Sequence, residues 1–404
     1  MIDRFAIVSL AAMYALFPLY GTFVAFVPHP PTAPLVPRSV ALAIVAVMLL
    51  ANLGVTIGAI RKRVWPTIGT ALVANVVATY LGAFFGFDPG VGIGLATGIA
   101  GFVAAHVALI AYYRTPSVAR IVYFALLTSG LLAALLAIGL LVLKTPVDLY
   151  AFNHGRAIGT FLNPNELAEY LLVYVSAAGG LAIVRRGTTF GTYALVCAAV
   201  GSLALALTFS RWGLVSAFVG IVAYALAMRP RRGLALIAGA LVLAVALNVG
   251  LWTRHHDPQD TGVRWVAWRA GLTTFLHFPL TGAGPLAFER LYPVMRAPDA
   301  PGADTPIAFD PHDMPLSILA ESGALGLAAA IWAFVAFGLA LRTMLSHATF
   351  ERRALATALT AGMVAVLVHS LLNSVSISFA IVVQFSALAL AAAQWGFEPA
   401  NGGA

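Results

Sequence analysis

Charge is nearly absent from twelve long stretches of this chain and is gathered into the short segments between them, which restricts the fold to one built within a bilayer. A transmembrane helix needs roughly 20 apolar residues. The stretches read as 5–27, 39–60, 66–87, 91–113, 120–143, 166–184, 189–209, 212–228, 233–252, 315–341, 354–372 and 376–395. Charged residues make up 9% of the chain, against about 25% in a soluble domain, and the mean hydropathy is +0.93. The predicted fold is an all-α integral membrane protein of about twelve transmembrane helices, a single polytopic domain over residues 1–404.

The basic residues orient it. With the amino terminus in the cytoplasm, alternate loops receive Arg4, then Arg61, Lys62 and Arg63, then Arg114 and Arg120, then Arg185 and Arg186. They continue with Arg229, Arg231 and Arg232, and with Arg342, Arg352 and Arg353. Short loops rich in Lys and Arg stay on the cytoplasmic side, so both termini are expected there. This topology accounts for the pI of 9.9 without a nucleic-acid partner. The first span lacks a small-x-small cleavage site and reads as a retained anchor. Cys197 is the only cysteine and falls within a span, where packing is its expected role.

Two outer segments are long, 144–164 and 253–314, the second a large loop between spans 9 and 10. Loops beyond about 12–15 residues are usually functional or disordered. The second contains Trp265, Trp268, Phe275, Phe278, Phe288 and Tyr292, which argues for order. Residues 263–277 carry Trp265, Trp268, Leu272 and Phe275 at helical spacing, the pattern of an amphipathic helix lying along the interface. Residues 279–285, rich in Gly and Pro, predict a tight turn.

Chemistry has to come from polar residues on that side, and four clusters stand out. Asn163, Pro164 and Glu166 read as an N-cap, a first-turn proline and an N3 carboxylate that start span 6. Arg211 lies in a short turn, Ser210 to Gly213, where it either satisfies the carbonyls ending span 7 or meets an anion. Arg264 neighbours the two tryptophans. Both arginines occupy the side on which the topology rule disfavours cations. Asp313 and Pro315 predict the start of span 10, with His312 just ahead of it. A neutral imidazole can accept a proton, as a general base must.

Other chemistries compete for these residues. Asp310, His312 and Asp313, or His255, His256 and Asp257, offer metal ligands without the spacing that marks a zinc site. A Gly-x-Ser-x-Gly elbow is absent. A transporter would place ionisable groups at mid-span, where only His106 and His369 fall, both read as helix-packing polar residues.

Taken in order, Gly-Thr-Phe-Leu-Asn-Pro-Asn at 159–165, Ser-Arg-Trp-Gly at 210–213, Arg264 to Trp268, Pro-Leu-Thr-Gly-Ala-Gly at 279–284 and His-Asp-x-x-Leu-x-x-Leu-x-Glu-x-Gly-x-x-Gly from 312 resemble the O-antigen ligase family, a superfamily that includes O-antigen polymerases. The resemblance implies a GT-C-type glycosyltransferase of the bacterial inner membrane with a periplasmic active site. It implies a donor glycan on undecaprenyl pyrophosphate and a lipid A–core acceptor, in contact with membrane lipids, with no cofactor and no metal. The family's essential histidine falls on His312 and its essential arginines on Arg211 and Arg264. Arg156, Asn163, Asn165, Arg269, Asp313 and Glu321 are further candidates for substrate binding. Asp313 stands where the family often has Asn, which leaves room for a carboxylate tuning His312 or for a metal. No outer arginine is followed eleven positions later by Gly, a feature common in the polymerases, so ligase is favoured over polymerase. A flippase-like glycan transporter is the alternative of another class.

Overall fold

A computed structural model describes residues 1–19, 38–161, 163–228, 259–297, 310–371 and 378–397. Among these residues the regular structure is entirely helical. In chain order the helices are α1 Ile2–Leu16, α2 Arg38–Lys62, α3 Gly69–Phe85, α4 Pro89–Tyr112, α5 Pro116–Leu143, the short α6 Val147–Phe152, α7 Pro164–Val184 and α8 Thr189–Leu207. They continue with α9 Arg211–Met228, α10 Gln259–His277, α11 Ala287–Met295, α12 Met314–Ser346, α13 Phe350–Ser370 and α14 Ser378–Trp395.

Nine of the described helices are long and apolar enough to cross a membrane. They correspond to nine of the twelve expected spans. Expected spans 2 and 3 coincide with α2, of 25 residues, and α3, of 17. Expected span 9 (233–252) lies outside the described residues, as do the basic cluster from Arg229 to Arg232, His255, His256 and Asp257. The chain is a multi-pass membrane protein.

Helices α7, α13 and α14 are the most enclosed and pack directly on one another, with α9 against α13 and α8 against α7. Inside the bundle, Tyr170 stacks between Phe17 (5.9 Å) and Tyr174 (6.0 Å). His106 ties α4 to α14 through Nδ1 and the Val383 carbonyl at 3.0 Å, the packing role expected of it. Cys197 is fully buried, also as expected.

Helix α10 covers the predicted amphipathic segment. Its small residues Val266, Ala267 and Ala270 pack with Ala320 of α12 and with Phe288 and Tyr292 of α11. The large apolar residues Trp265, Leu272 and Leu276 point away from the protein. This division suits a helix held at the interface between membrane and water.

The span expected at 315–341 is broken. Gly323 interrupts α12 with φ 65° and ψ −166°, values open essentially to glycine alone. In an unbroken helix the carbonyls of Ala320 and Glu321 would accept from the N–H groups of residues 324 and 325. Here the predicted turn at 279–284 inserts into the break. Ala283 N–H donates to Ala320 O (2.8 Å) and Gly284 N–H to Glu321 O (3.0 Å). In return Ala324 N–H donates to Pro279 O (2.9 Å) and Leu325 N–H to Leu280 O (3.2 Å). All four backbone groups released by the break are thereby satisfied, as a low-dielectric setting requires. The turn also reaches α3 and α4, where Phe87 N–H donates to Ala283 O at 2.7 Å and Arg290 of α11 pairs with Asp88 at the start of α4.

Candidate active site

The turn before α12 sets His312. Asp310 Oδ1 accepts the backbone N–H of His312 at 2.5 Å, an Asx turn that carries His312 into the left-handed region at φ 56°. The same oxygen lies 3.5 Å from His312 Nδ1. Burial pushes the Asp310 carboxyl above the ordinary aspartate range, against the pull of His312 and Arg264. Asp313 has a different task. It caps α12 by accepting from Leu316 N–H at 2.8 Å, so the carboxylate beside the imidazole is Asp310. A negative group next to Nδ1 favours a proton on that nitrogen and leaves Nε2 as the acceptor.

Arg264 stands on α10, within electrostatic reach of Asp310. Its position depends on the inserted turn, because α10 leads directly into residues 279–284. Glu321 belongs to this junction too. Its backbone carbonyl accepts from Gly284 N–H at 3.0 Å. Arg269, one turn on from Arg264, is exposed.

The third region is the start of α7. Asn163 caps it, accepting from Asn165 N–H at 2.8 Å, as predicted. Asn165 Oδ1 accepts from Ser210 Oγ (2.8 Å) and from Arg156 Nη2 (3.2 Å). Arg156 Nε donates to the Thr208 carbonyl at 2.8 Å. Ser210 in turn caps α9, accepting from Gly213 N–H at 3.1 Å. Arg211, the first residue of α9, is therefore placed by a network that joins α7, α8 and the segment around Arg156. Glu166 sits in the first turn of α7 as expected, and among the described residues its buried Oε2 has no hydrogen-bond partner. Glu166 lies within electrostatic reach of Asp310.

Asp310 therefore touches His312 and lies within electrostatic reach of Arg264, whereas Arg156, Asn163, Asn165 and Ser210, the residue before Arg211, form a separate network. Sequence reasoning offered Asp310 only as a metal ligand and left Glu169 and His369 out of the site. His369 is within electrostatic reach of Arg264, and Glu169 is within reach of Asp310 and Glu166. The available signal was the presence of ionisable residues inside spans, which are costly there. Among the described residues, no group of three His, Cys, Asp or Glu side chains is arranged to hold a metal ion.

Fold and site together define a multi-pass helical membrane protein that gathers arginine, histidine and carboxylate groups where the ends of α7, α12, α13 and α14 meet. Residues 194–331 match the family described as O-antigen ligase. The match includes Arg211, Arg264, Arg269, His312, Asp313 and Glu321. No curated protein matches the chain.

Proposed function

We propose that the protein is an O-antigen ligase that transfers a glycan from undecaprenyl pyrophosphate to a sugar hydroxyl of lipid A–core on the periplasmic face of the inner membrane. The observation that carries this reading is Asp310 lying within electrostatic reach of both His312 and Arg264. A base held 3.5 Å from this carboxyl and a cation within its electrostatic reach supply the two charges that a displacement at an anomeric carbon needs.

His312 Nε2 takes the proton of the acceptor hydroxyl as its oxygen attacks the anomeric carbon, which contributes about 10²–10⁴-fold. The bond from that carbon to the pyrophosphate oxygen breaks, and the oxygen keeps the electron pair. Arg264 and Arg211 stabilise the departing anion, since a planar guanidinium matches phosphate oxygens. One displacement inverts the anomeric configuration. Two fixed cations can do this work without a divalent ion.

Purified protein in nanodiscs, supplied with glycan-bearing undecaprenyl pyrophosphate and lipid A–core, tests the proposal. The expected product is glycosylated lipid A–core, formed equally in EDTA. Extension of the lipid-linked glycan would indicate a polymerase. Loss of transfer in EDTA with rescue by Mg²⁺ would replace the arginine mechanism.

A further inference from the structure

Helix α3 closes with Gly82-Ala-Phe-Phe-Gly86, two glycines four positions apart, while Phe84, Phe85 and Phe87 beside them are exposed. Glycine within a helix is less favourable than alanine, so α3 by itself gives no reason for Gly82. In membrane helices this spacing lets a neighbouring backbone come close. Here the neighbour is not a helix but the 279–284 turn seated in the break of α12. A Cβ at position 82 would stand 2.5 Å from the Thr281 carbonyl oxygen and 2.9 Å from that of Glu321. One at position 86 would overlap the Ala283 carbonyl. The Phe87 N–H closes this contact by donating to Ala283 O at 2.7 Å. Asp88 then serves two partners with separate oxygens. Its Oδ1 accepts from Val91 N–H at 3.2 Å, which starts α4, and its Oδ2 pairs with Arg290 of α11.

The turn held in this way governs how α10 lies on α12. The two helices meet at two places. Near the middle of α10, a Cβ on Gly271 would stand 3.0 Å from Pro311, the residue before His312, and 2.9 Å from Leu316. Just past its end, α10 runs into the turn, whose backbone is bonded to Ala320, Glu321, Ala324 and Leu325 of α12. The second place is the one that the α3–α4 junction grips.

We propose that Gly82, Gly86 and the Asp88–Arg290 pair are positioning residues: they hold the 279–284 turn in the break of α12 and so fix α10, which carries Arg264, against the segment that carries His312. Their effect on rate rests on the reaction proposed above, whereas their hold on α10 is tested without it.

The full-length protein in nanodiscs, in a Cys197→Ala background, carries spin labels on cysteines at the exposed positions of Leu272 on α10 and Leu325 on α12. Gly82→Ala improves α3 as a helix and crowds the turn. Asp88→Asn keeps an acceptor for the Val91 N–H and, like Arg290→Gln, removes the ion pair. Dipolar distance measurements should give a narrow distribution in the wild type, shifted or broadened in Gly82→Ala and to a smaller extent in Arg290→Gln. Without labels, Gly82→Ala should slow single-turnover transfer about 10–100-fold, as misalignment of reacting groups does. Its binding of undecaprenyl pyrophosphate should stay within about threefold of the wild type. Asp88→Asn and Arg290→Gln should each slow transfer about two- to fivefold, the range for an exposed pair. The double variant should be no slower than either, because the two residues act as one contact. Gly94→Ala on α4, where a Cβ meets nothing within 4 Å, should match the wild type. Unaltered distances in both Gly82→Ala and Arg290→Gln overturn the positioning role whatever the rates. Altered distances with wild-type rates overturn it too, since the placement would then not matter to transfer. If the wild type transfers nothing while the distances shift as expected, the proposed reaction fails and the hold on α10 is supported.

Discussion

Asp310 holds His312 at two points: its Oδ1 accepts the backbone N–H at 2.5 Å and lies 3.5 Å from Nδ1 of the same residue. Backbone and ring are therefore oriented by one oxygen. That oxygen belongs to a buried carboxyl whose charged form is disfavoured in the folded state.

This sets function against stability at Asp310. With the folded pKa raised, the carboxyl's favourable contribution is fully present below the ordinary aspartate value of about 3.9 and is lost as pH rises through the folded value. Asp310→Asn keeps an acceptor for the His312 N–H and removes the charge. The variant should be at least as stable as the wild type at pH 7.5, with the gap shrinking towards pH 4, while transfer falls about 10–100-fold. Thermal unfolding at the two pH values, together with the transfer assay, checks both halves. A variant that is less stable at pH 7.5 and fully active contradicts them.

His312→Ala should abolish transfer and leave donor binding largely intact, because the base touches the acceptor side. Arg264→Ala should weaken donor binding and slow transfer together. Loss of one member of a desolvated ion pair costs about 3–5 kcal/mol, or about 10²–10³-fold or more. Arg264→Lys should rescue poorly, since an ammonium cannot make the bidentate contact. Donor affinity and single-turnover rate at matched expression distinguish these outcomes. Substantial turnover by His312→Ala would remove the general base from the mechanism.

The break in α12 makes Gly323 sensitive. A Cβ there would stand 2.3 Å from the Leu280 carbonyl oxygen on a backbone at φ 65°. Such strain costs about 1–3 kcal/mol before any clash is counted. Gly323→Ala should lower the unfolding temperature and reduce transfer. Gly338→Ala on the same helix, where a Cβ meets nothing within 4 Å, should be neutral or slightly stabilising. Equal behaviour of the two variants would mean that the inserted turn does not govern the site.

Topology can be read by labelling. In a Cys197→Ala background, cysteine at the exposed position of His277 should react with an impermeant maleimide in intact spheroplasts. Cysteine at the exposed position of Glu351, in a basic loop, should react only after lysis. The reverse pattern would place the site in the cytoplasm.

Hydropathy and caps made most of the architecture legible in the sequence. The caps at Asn163 and Asp313 depend on side chains two or three residues from the amides they accept. Nine of the expected spans reappear because the lipid requirement acts on each segment by itself. His312 and Arg264 were found through a family resemblance and their placement in polar segments. What composition could not show is which carboxyl serves the histidine. Asp310 and Asp313 flank it almost equally in the chain, and the left-handed turn at His312 assigns Asp310 to the ring and Asp313 to the helix end.

The broken helix and the buried polar cluster lay further from view. Residues 315–341 read as one apolar span because hydropathy records transfer to lipid and not hydrogen-bond continuity. The break at Gly323 is tolerated only because the 279–284 turn supplies the missing backbone partners. Glu169 and His369 each sit in an apolar helix, where an ionisable residue stands out but its partners cannot be read. Only the convergence of α7, α13 and α14 brings Ser370 and Ser378 to Glu169 and His369 into reach of Arg264. Local chemistry determined where this chain enters the membrane and where its helices begin. Contacts between distant helices decided which polar groups face one another, because their desolvation and pairing depend on partners that sequence neighbours do not supply.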